Sequence, residues 1–291
     1  MGSFSILNNI SGVNAQNQLN INNVSLSRTL LRLSSGKRIN SGADDAAGLQ
    51  IADSLRANTA ALDQAVRNAN DGVSVSQIAD GALQQITDLL NRAVTLSEEA
   101  ATGTTDSTGR ASLNAEYTAI QSEIARIASQ ANFNGMGIFT TGATNVNGSL
   151  SVYVGDVGKG SSSISVTIAT ITTSGNTVTA IGPSGATTNI ATVDLTTQLG
   201  AVTALTTIKG ALSGVSQMRA SIGAGINRLQ AAVSVLQTQS QNTQAAESTI
   251  RDANVASEVA NLTKYNILAQ TGIAALAQAN AQSSAILKLL G

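Results

Sequence analysis

LSSGKRINSGADDAAGL, residues 33–49, is a polar, glycine-bearing interruption between two long runs of helix-forming residues. Gly36 and Gly42 permit backbone angles that other residues resist. Ser41 and Asp44 stand three residues apart, the spacing of a capping box, in which Glu or Gln is the more usual second member. The stretch therefore predicts a joint between two helices, with the second helix beginning near Asp44.

Two apolar stripes mark residues 1–43 as a helical segment with more than one neighbour. The first stripe follows alternating three- and four-residue steps, the seam of a coiled coil. Its members are Ile10, Val13, Asn17, Asn20, Val24, Ser27 and Leu31. The second stripe lies beside it and comprises Leu19, Leu26, Leu30 and Leu33. We expect that one partner helix cannot cover both stripes.

Residues 44–139 are predicted to form a rod of two helices. The first helix contains no Pro, although Gly72 and Gly81 are expected to weaken and bend it locally. The segment TGTTDSTGR at residues 102–110 breaks the pattern, and a further heptad seam predicts a second helix folded back on the first. The residues of that seam are Leu113, Tyr117, Ile120, Ile124, Ile127 and Ala131.

Residues 140–197 change to a pattern in which Ser and Thr alternate with apolar residues, which is typical of strands. The apolar members are Leu150, Val152 and Val154, followed by Ile164, Val166 and Ile168. We interpret the segment as small β-hairpins inserted between helices. Its hydroxyl groups suit either an ordinary strand surface or acceptors for O-linked sugars.

Heptads return in residues 198–254, where Gly223 and Gly225 are expected to interrupt a helix, and continue through residues 255–291. The seam of the last segment includes Ile273, Leu276, Leu287 and Leu290. The predicted fold class is therefore mainly α. We expect a long antiparallel helical rod or coiled-coil bundle with a small inserted β-hairpin region, in which the N- and C-terminal helices pair.

The composition excludes several classes of protein. A formal charge of −1 provides no basic surface for nucleic acid. The chain contains no His and no Cys, which removes His-dependent nucleophiles and imidazole or thiolate metal sites and leaves only carboxylate chemistry open. No apolar run is long enough to cross a membrane, and the opening MGSFSILNNISG lacks the pattern of a cleaved secretory signal. Any export is expected to need no cleaved signal.

The motifs at both ends of the chain resemble those of bacterial flagellin, in the order in which that family carries them. They are the joint stretch with the downstream IADSLR, NANDGVS at residues 68–74, FNG at 133–135, IGAGINRL at 222–229 and the tail LAQANAQSSAILKLL. The resemblance implies that residues 1–43 and 255–291 form the inner coiled coil of a filament. It also implies that residues 44–139 and 198–254 form a rod layer around that coil. The insert would replace the large outer domains of longer flagellins.

The same resemblance implies a structural protein that is not an enzyme and needs no cofactor or metal, and it also implies partners. A flagellin is exported unfolded through the flagellar channel and polymerises into an extracellular filament for swimming. The expected partners are further copies of the chain, the flagellar cap, hook-junction proteins and an export chaperone. Arg92, Leu96 and Glu116 match positions that the host Toll-like receptor for flagellin recognises, with filament packing as their alternative role. A hook–filament junction protein, which is similar to flagellin at its ends, is the alternative function.

Overall fold

Five helices account for most of the residues that this computed structural model describes. Residues 9–139, 146, 148–155, 163–168, 170–174, 177–181 and 189–290 are described, except for the side chains of residues 173, 174, 177–181 and 283–290. The helices are α1 (Ile10–Ser35), α2 (Ala46–Ala101), α3 (Ser107–Gln130), α4 (Gln198–Arg251) and α5 (Val255–Leu290). The prediction of a mainly α fold is confirmed. Among the helices described, none is long and apolar enough to cross a membrane.

Within the described residues, six short strands form three separate antiparallel hairpins, β1–β2, β3–β4 and β5–β6. The strands are β1 (Asn132–Phe133), β2 (Met136–Gly137), β3 (Ser149–Tyr153), β4 (Ser163–Thr167), β5 (Ile171–Ser174) and β6 (Thr177–Ile181). Asn134 and Gly135 connect β1 to β2 with φ angles of 51° and 78°, as a two-residue turn of this hand requires. In the second hairpin, Val152 pairs with Ile164. The expected hairpin region is confirmed.

The contacts divide the chain into two compact units. The terminal unit consists of Met1–Ala57 and Asn242–Gly291, and the rod unit consists of Asn58–Gln241. Each unit has its own packing and is described separately below.

In the terminal unit, α1 and α5 pack along each other. The side chain of Asn9 donates to the carbonyl of Ala279 at 3.2 Å, while the N–H of Ala253 donates to the carbonyl of Gly36 at 2.9 Å. Because these contacts lie at opposite ends of both helices, the pair is antiparallel. The predicted pairing of the N- and C-terminal helices is confirmed.

The rod unit has one apolar core shared by α2, α3, α4 and the hairpins. Its fully buried side chains include Leu83, Ile86, Leu90, Leu96, Tyr117, Ile124, Phe139, Ile208, Val215, Ile222 and Leu229. Polar contacts also tie α2 to α4. The guanidinium of Arg219 donates to Asp80 at 2.8 Å, and the hydroxyl of Ser240 donates to Asp63 at 2.8 Å.

Two helical glycines seat the β3–β4 hairpin on the rod. A Cβ added at Gly72 would lie 2.6 Å from Val152 Cγ2, and one added at Gly225 would lie 2.5 Å from Val166 Cγ1. These glycines therefore leave space for a close approach by the hairpin. The interruption expected at Gly225 was wrong, because α4 runs unbroken from Gln198 to Arg251.

Polar side chains of α3 hold the segment through which the chain returns to α4. Tyr117 donates its hydroxyl to the carbonyl of Ile190 at 3.1 Å, and Gln121 donates to the same carbonyl at 2.6 Å. Asn114 accepts the backbone N–H of Leu195 at 2.9 Å. Burial raises the pKa of Tyr117, so the phenol stays protonated and remains a donor.

Candidate assembly interface

One face of α1 packs on one face of α5 and forms what we call the inner seam. The residues on α1 are buried or half-buried and recur at heptad spacing: Gly12, Ala15, Leu19, Asn22, Leu26, Thr29 and Leu33. Those on α5 follow the same spacing: Glu258, Leu262, Tyr265, Ala269, Gly272, Leu276 and Ala279. Leu19 meets α5 at Gly272, where an added Cβ would lie 3.3 Å from its Cδ1. The pattern is that of a coiled coil whose seam holds many small or polar residues.

The predicted stripe on α1 that begins at Ile10 is exposed in the isolated chain, and we call it the outer stripe. It consists of Ile10, Val13, Val24 and Leu31, whose exposed fractions run from 55% for Leu31 to 61% for Ile10. On α5, Ile273 is 58% exposed. Single exposed apolar residues are ordinary on protein surfaces, whereas a row of large ones at helical spacing marks an interaction surface.

The assembly residues expected from the sequence therefore fall on two surfaces. Ile10, Val13, Val24, Leu31 and Ile273 are exposed, whereas Leu276 is half-buried in the inner seam. Leu287 and Leu290 lie in α5, and their side chains are outside the described part of the chain. Of the second predicted stripe, Leu19, Leu26 and Leu33 lie in the inner seam, and Leu30 is exposed. Sequence periodicity found both stripes but not which one faces α5.

The side chain of Asp44 stabilises the turn in the joint between α1 and α2. Gly36 ends α1 in the left-handed conformation, with a φ of 68°. Asp44 Oδ2 accepts the N–H and the hydroxyl of Ser41, each at 3.1 Å, and the N–H of Asn40 at 3.3 Å. These bonds, with the Ser41 hydroxyl first, lower the pKa of Asp44. Gly42 lies in the same turn without a positive φ.

The cap of α2 comes from the residue after Asp44. Asp45 accepts the backbone N–H of Gly48 at 2.8 Å, and α2 begins at Ala46. The sequence placed the start of the helix near Asp44 because the spacing from Ser41 resembles a capping box. The structure uses that spacing to close the turn that precedes the helix, so the expected start was two residues too early.

The joint also pairs with the break between α4 and α5, in a contact that we call the joint bridge. The N–H of Arg38 donates to the carbonyl of Arg251 at 2.6 Å, and the N–H of Ala253 donates to the carbonyl of Gly36 at 2.9 Å. These four residues define the bridge. Sequence reasoning missed it because backbone pairing between distant segments leaves no periodic pattern of side chains.

Arginines beside the joint connect it to both helices of the inner seam. Arg32 lies 4.0 Å from a carboxylate oxygen of Asp44 and 3.6 Å from one of Glu258. Arg28 lies 3.9 Å from Asp44. These separations exceed a normal hydrogen bond, so the arginines contribute electrostatic attraction more than directional bonding.

The three rod residues matched to the receptor surface do not share one environment. Arg92 and Glu116 form an exposed ion pair between α2 and α3, with two guanidinium nitrogens 2.8 Å from the same carboxylate oxygen. Leu96 is only 1% exposed and belongs to the core of the rod unit. A partner that docks on this surface can touch the ion pair, whereas Leu96 lies beneath it.

The described residues offer no grouping of Asp and Glu side chains that could hold a metal ion. Asp44 serves a turn, Asp45 a helix cap and Glu116 an ion pair. What the terminal unit presents is an exposed apolar surface, and the chemistry such a surface supports is association.

Comparisons with known proteins identify both ends of the chain. Residues 6–144 match the bacterial flagellin N-terminal helical region, and residues 205–290 match the bacterial flagellin C-terminal helical region. A solved structure from Vibrio parahaemolyticus, described as a flagellar hook-associated protein, shares the fold with a TM-score of 0.56 and 13% identity. The match covers 72% of this chain and all of that one.

Full-length relatives are more similar in sequence. The flagellar filament 31.3 kDa core protein of Treponema maltophilum is 36% identical, over 98% of this chain and 99% of that protein. A flagellin of Halalkalibacterium halodurans is 35% identical, with the same shares covered. Identity at this level along the whole length, with both helical ends recognised, shows that the chain belongs to the bacterial flagellin family.

Proposed function

We propose that this flagellin polymerises by burying the outer stripe of α1, together with the exposed apolar side chains of α5, against other copies of the chain. As a flagellin it is a structural, non-enzymatic subunit of the extracellular filament used for motility. The observation that carries the proposal is a row of large apolar residues left exposed on helices whose opposite faces are already paired. Burial from full exposure contributes about 1.5–3 kcal/mol for such a side chain, and the residues of the outer stripe still expose more than half of their surface.

The same surface indicates which layer of the filament each segment of the chain would form. Residues 1–43 and 255–291 would supply the inner coiled coil, since they carry the inner seam and the outer stripe. Residues 44–139 and 198–254 would supply the rod layer, in keeping with the continuous core of the rod unit. Residues 140–197 would form a small outward insert.

Export and accessory partners extend this proposal. The subunit would travel unfolded to the filament tip, supported by a chain without cysteine and by an inner seam rich in small and polar residues. Before assembly, an export chaperone would cover the outer stripe. During assembly, hook-junction and cap proteins would cover it at the growing end.

The Arg92–Glu116 ion pair is proposed as a packing surface that the host Toll-like receptor for flagellin also reads. Its exposure on the rod supports that role. Leu96 would act indirectly, by holding α2 and α3 in the spacing that forms the pair.

A hook–filament junction protein is the second candidate function, favoured by the fold shared with the hook-associated structure. Precipitant-induced or seeded polymerisation followed by electron microscopy separates the two, since a junction protein builds no long filaments. Long tubes are expected here. Their failure to form even with seeds would overturn the proposal.

Val24→Asn tests the outer stripe directly. We expect normal helicity and thermal unfolding in the monomer but loss of seeded filament growth, because the substitution places an amide in an interface that forms only between copies. Val235→Asn is the matched control, since Val235 is 65% exposed on α4 and lies outside the outer stripe. Normal filaments from Val24→Asn would contradict the proposal, as would equal loss in both variants.

A further inference from the structure

The inner seam alone does not determine how α1 is aligned with α5. In the structure Leu19 faces Gly272, a large side chain against the smallest one. A shift of one heptad would place Leu19 opposite Ala279 and Leu26 opposite Gly272, again pairing large with small. Because Leu19, Leu26 and Leu33 of α1 lie one heptad apart, apolar packing is compatible with both alignments.

The joint bridge does distinguish the two alignments. One heptad is a displacement of about 10 Å along a helix axis, several times the length of a hydrogen bond. The bonds from Arg38 to Arg251 and from Ala253 to Gly36 cannot survive such a shift. The connection between α4 and α5 is only Asp252 to Asn254, and Ala253 at its centre is itself part of the bridge.

We propose that the joint bridge sets the alignment of α1 with α5. The alignment in turn determines which exposed residues of the two helices lie at the same height along their axes. Arg32 lies near Glu258, so their sequence neighbours Leu31 and Val259 lie at the same height along the two helices. Leu31 is 55% exposed and Val259 is 45% exposed. A shifted alignment would separate them by two helical turns. The inference rests on the proposed function in one respect: Leu31 and Val259 are taken to contact other copies of the chain.

Cysteine pairs can test the alignment, since the chain has no native cysteine. In the observed alignment Asn22 lies opposite Ala269, so Asn22→Cys with Ala269→Cys reports it. Ala15→Cys or Thr29→Cys, each with Ala269→Cys, reports a shift of one heptad in either direction. Crosslinking is performed on seeded filaments, and gel mobility separates bonds within a chain from bonds between chains. We expect bonds within the chain from the aligned pair and at most trace yields from the shifted pairs.

The bridge is then weakened by Ala253→Pro, which removes the N–H that donates to Gly36. We expect the ratio of aligned to shifted crosslinks to fall by roughly fivefold, the equivalent of about one hydrogen bond. Arg38→Pro removes the other bridging N–H and guards against a folding defect peculiar to the first variant. Ala46→Pro is the control, because Ala46 is the first residue of α2, where a helix tolerates Pro, and it should leave the ratio unchanged.

The outcomes separate this inference from the proposed function. Absence of filaments from the otherwise unchanged cysteine variants would overturn the proposed function. Normal filaments in which shifted pairs crosslink as well as the aligned pair would overturn the role of the bridge. So would an unchanged ratio in both proline variants that retain native helicity.

Discussion

Replacing Gly225 by Ala tests how the β3–β4 hairpin sits on the rod. The new methyl group would lie 2.5 Å from Cγ1 of Val166 and 2.9 Å from its Cγ2, well inside van der Waals contact. Val166 is buried, so it cannot swing out into solvent. Either the valine leaves its rotamer or the hairpin lifts from α4.

Two opposing effects determine how much Gly225→Ala changes the free energy of unfolding. Overpacking of this kind costs about 1–3 kcal/mol, whereas Ala favours a helix over Gly by about 0.5–1 kcal/mol. Gly225→Ala is therefore expected to destabilise the rod unit by about 1 kcal/mol, with an upper bound of about 2.5 kcal/mol. Gly223 is the matched control, since an added Cβ there meets nothing within 4 Å. Gly223→Ala is expected to stabilise the same helix by about 0.5–1 kcal/mol.

Denaturant unfolding of the full chain, followed by circular dichroism, measures both changes. The two variants are expected to move the unfolding midpoint in opposite directions. In a Val166→Ala background the penalty of Gly225→Ala is expected to shrink, because the clashing methyl groups are gone. Equal shifts of the same sign for both glycine variants would refute the close seating of the hairpin.

Three further predictions concern polar and buried groups. Asp44→Asn is expected to lower the free energy of unfolding at neutral pH. Because the folded carboxyl has a pKa below its ordinary 3.8, the difference from wild type is lost as the pH falls through the folded pKa, which titrated denaturation would show. Tyr117→Phe is expected to cost about 1 kcal/mol in thermal unfolding, and more when combined with Gln121→Leu, since the shared carbonyl then has neither donor. Leu96→Ala is expected to cost about 2–5 kcal/mol and Arg92→Ala less than about 1, so receptor assays must compare equal amounts of folded protein.

Helical periodicity made most of the fold predictable. The heptad of α1 identified both of its apolar stripes because side chains three and four residues apart share one face of a helix. The alternating pattern around Val152 and Val166 placed strands for a similar reason, since residues two apart share one face of a strand. In each case local repetition carries the information.

Non-local features were not predictable in the same way. The glycine at 225 looked like a break because its low helix propensity is a local property, whereas its role depends on a valine far away in the sequence. The joint bridge consists of backbone groups, which every residue possesses. Leu96 was grouped with Arg92 by motif alone, and only packing distinguishes a surface side chain from a buried one.

The attachment of the return segment to α3 bears on how the length of this protein can change. β5 and β6 contact α3, and Tyr117 and Gln121 of α3 hold Ile190, so both ends of the connection between Ile181 and Ile190 are fixed. Closing a longer loop between fixed ends costs only about 0.6 kcal/mol for each doubling of its length. Residues added to that connection are therefore nearly neutral for the stability of the rod, whereas loss of the β3–β4 hairpin would remove Val152 and Val166 from its core.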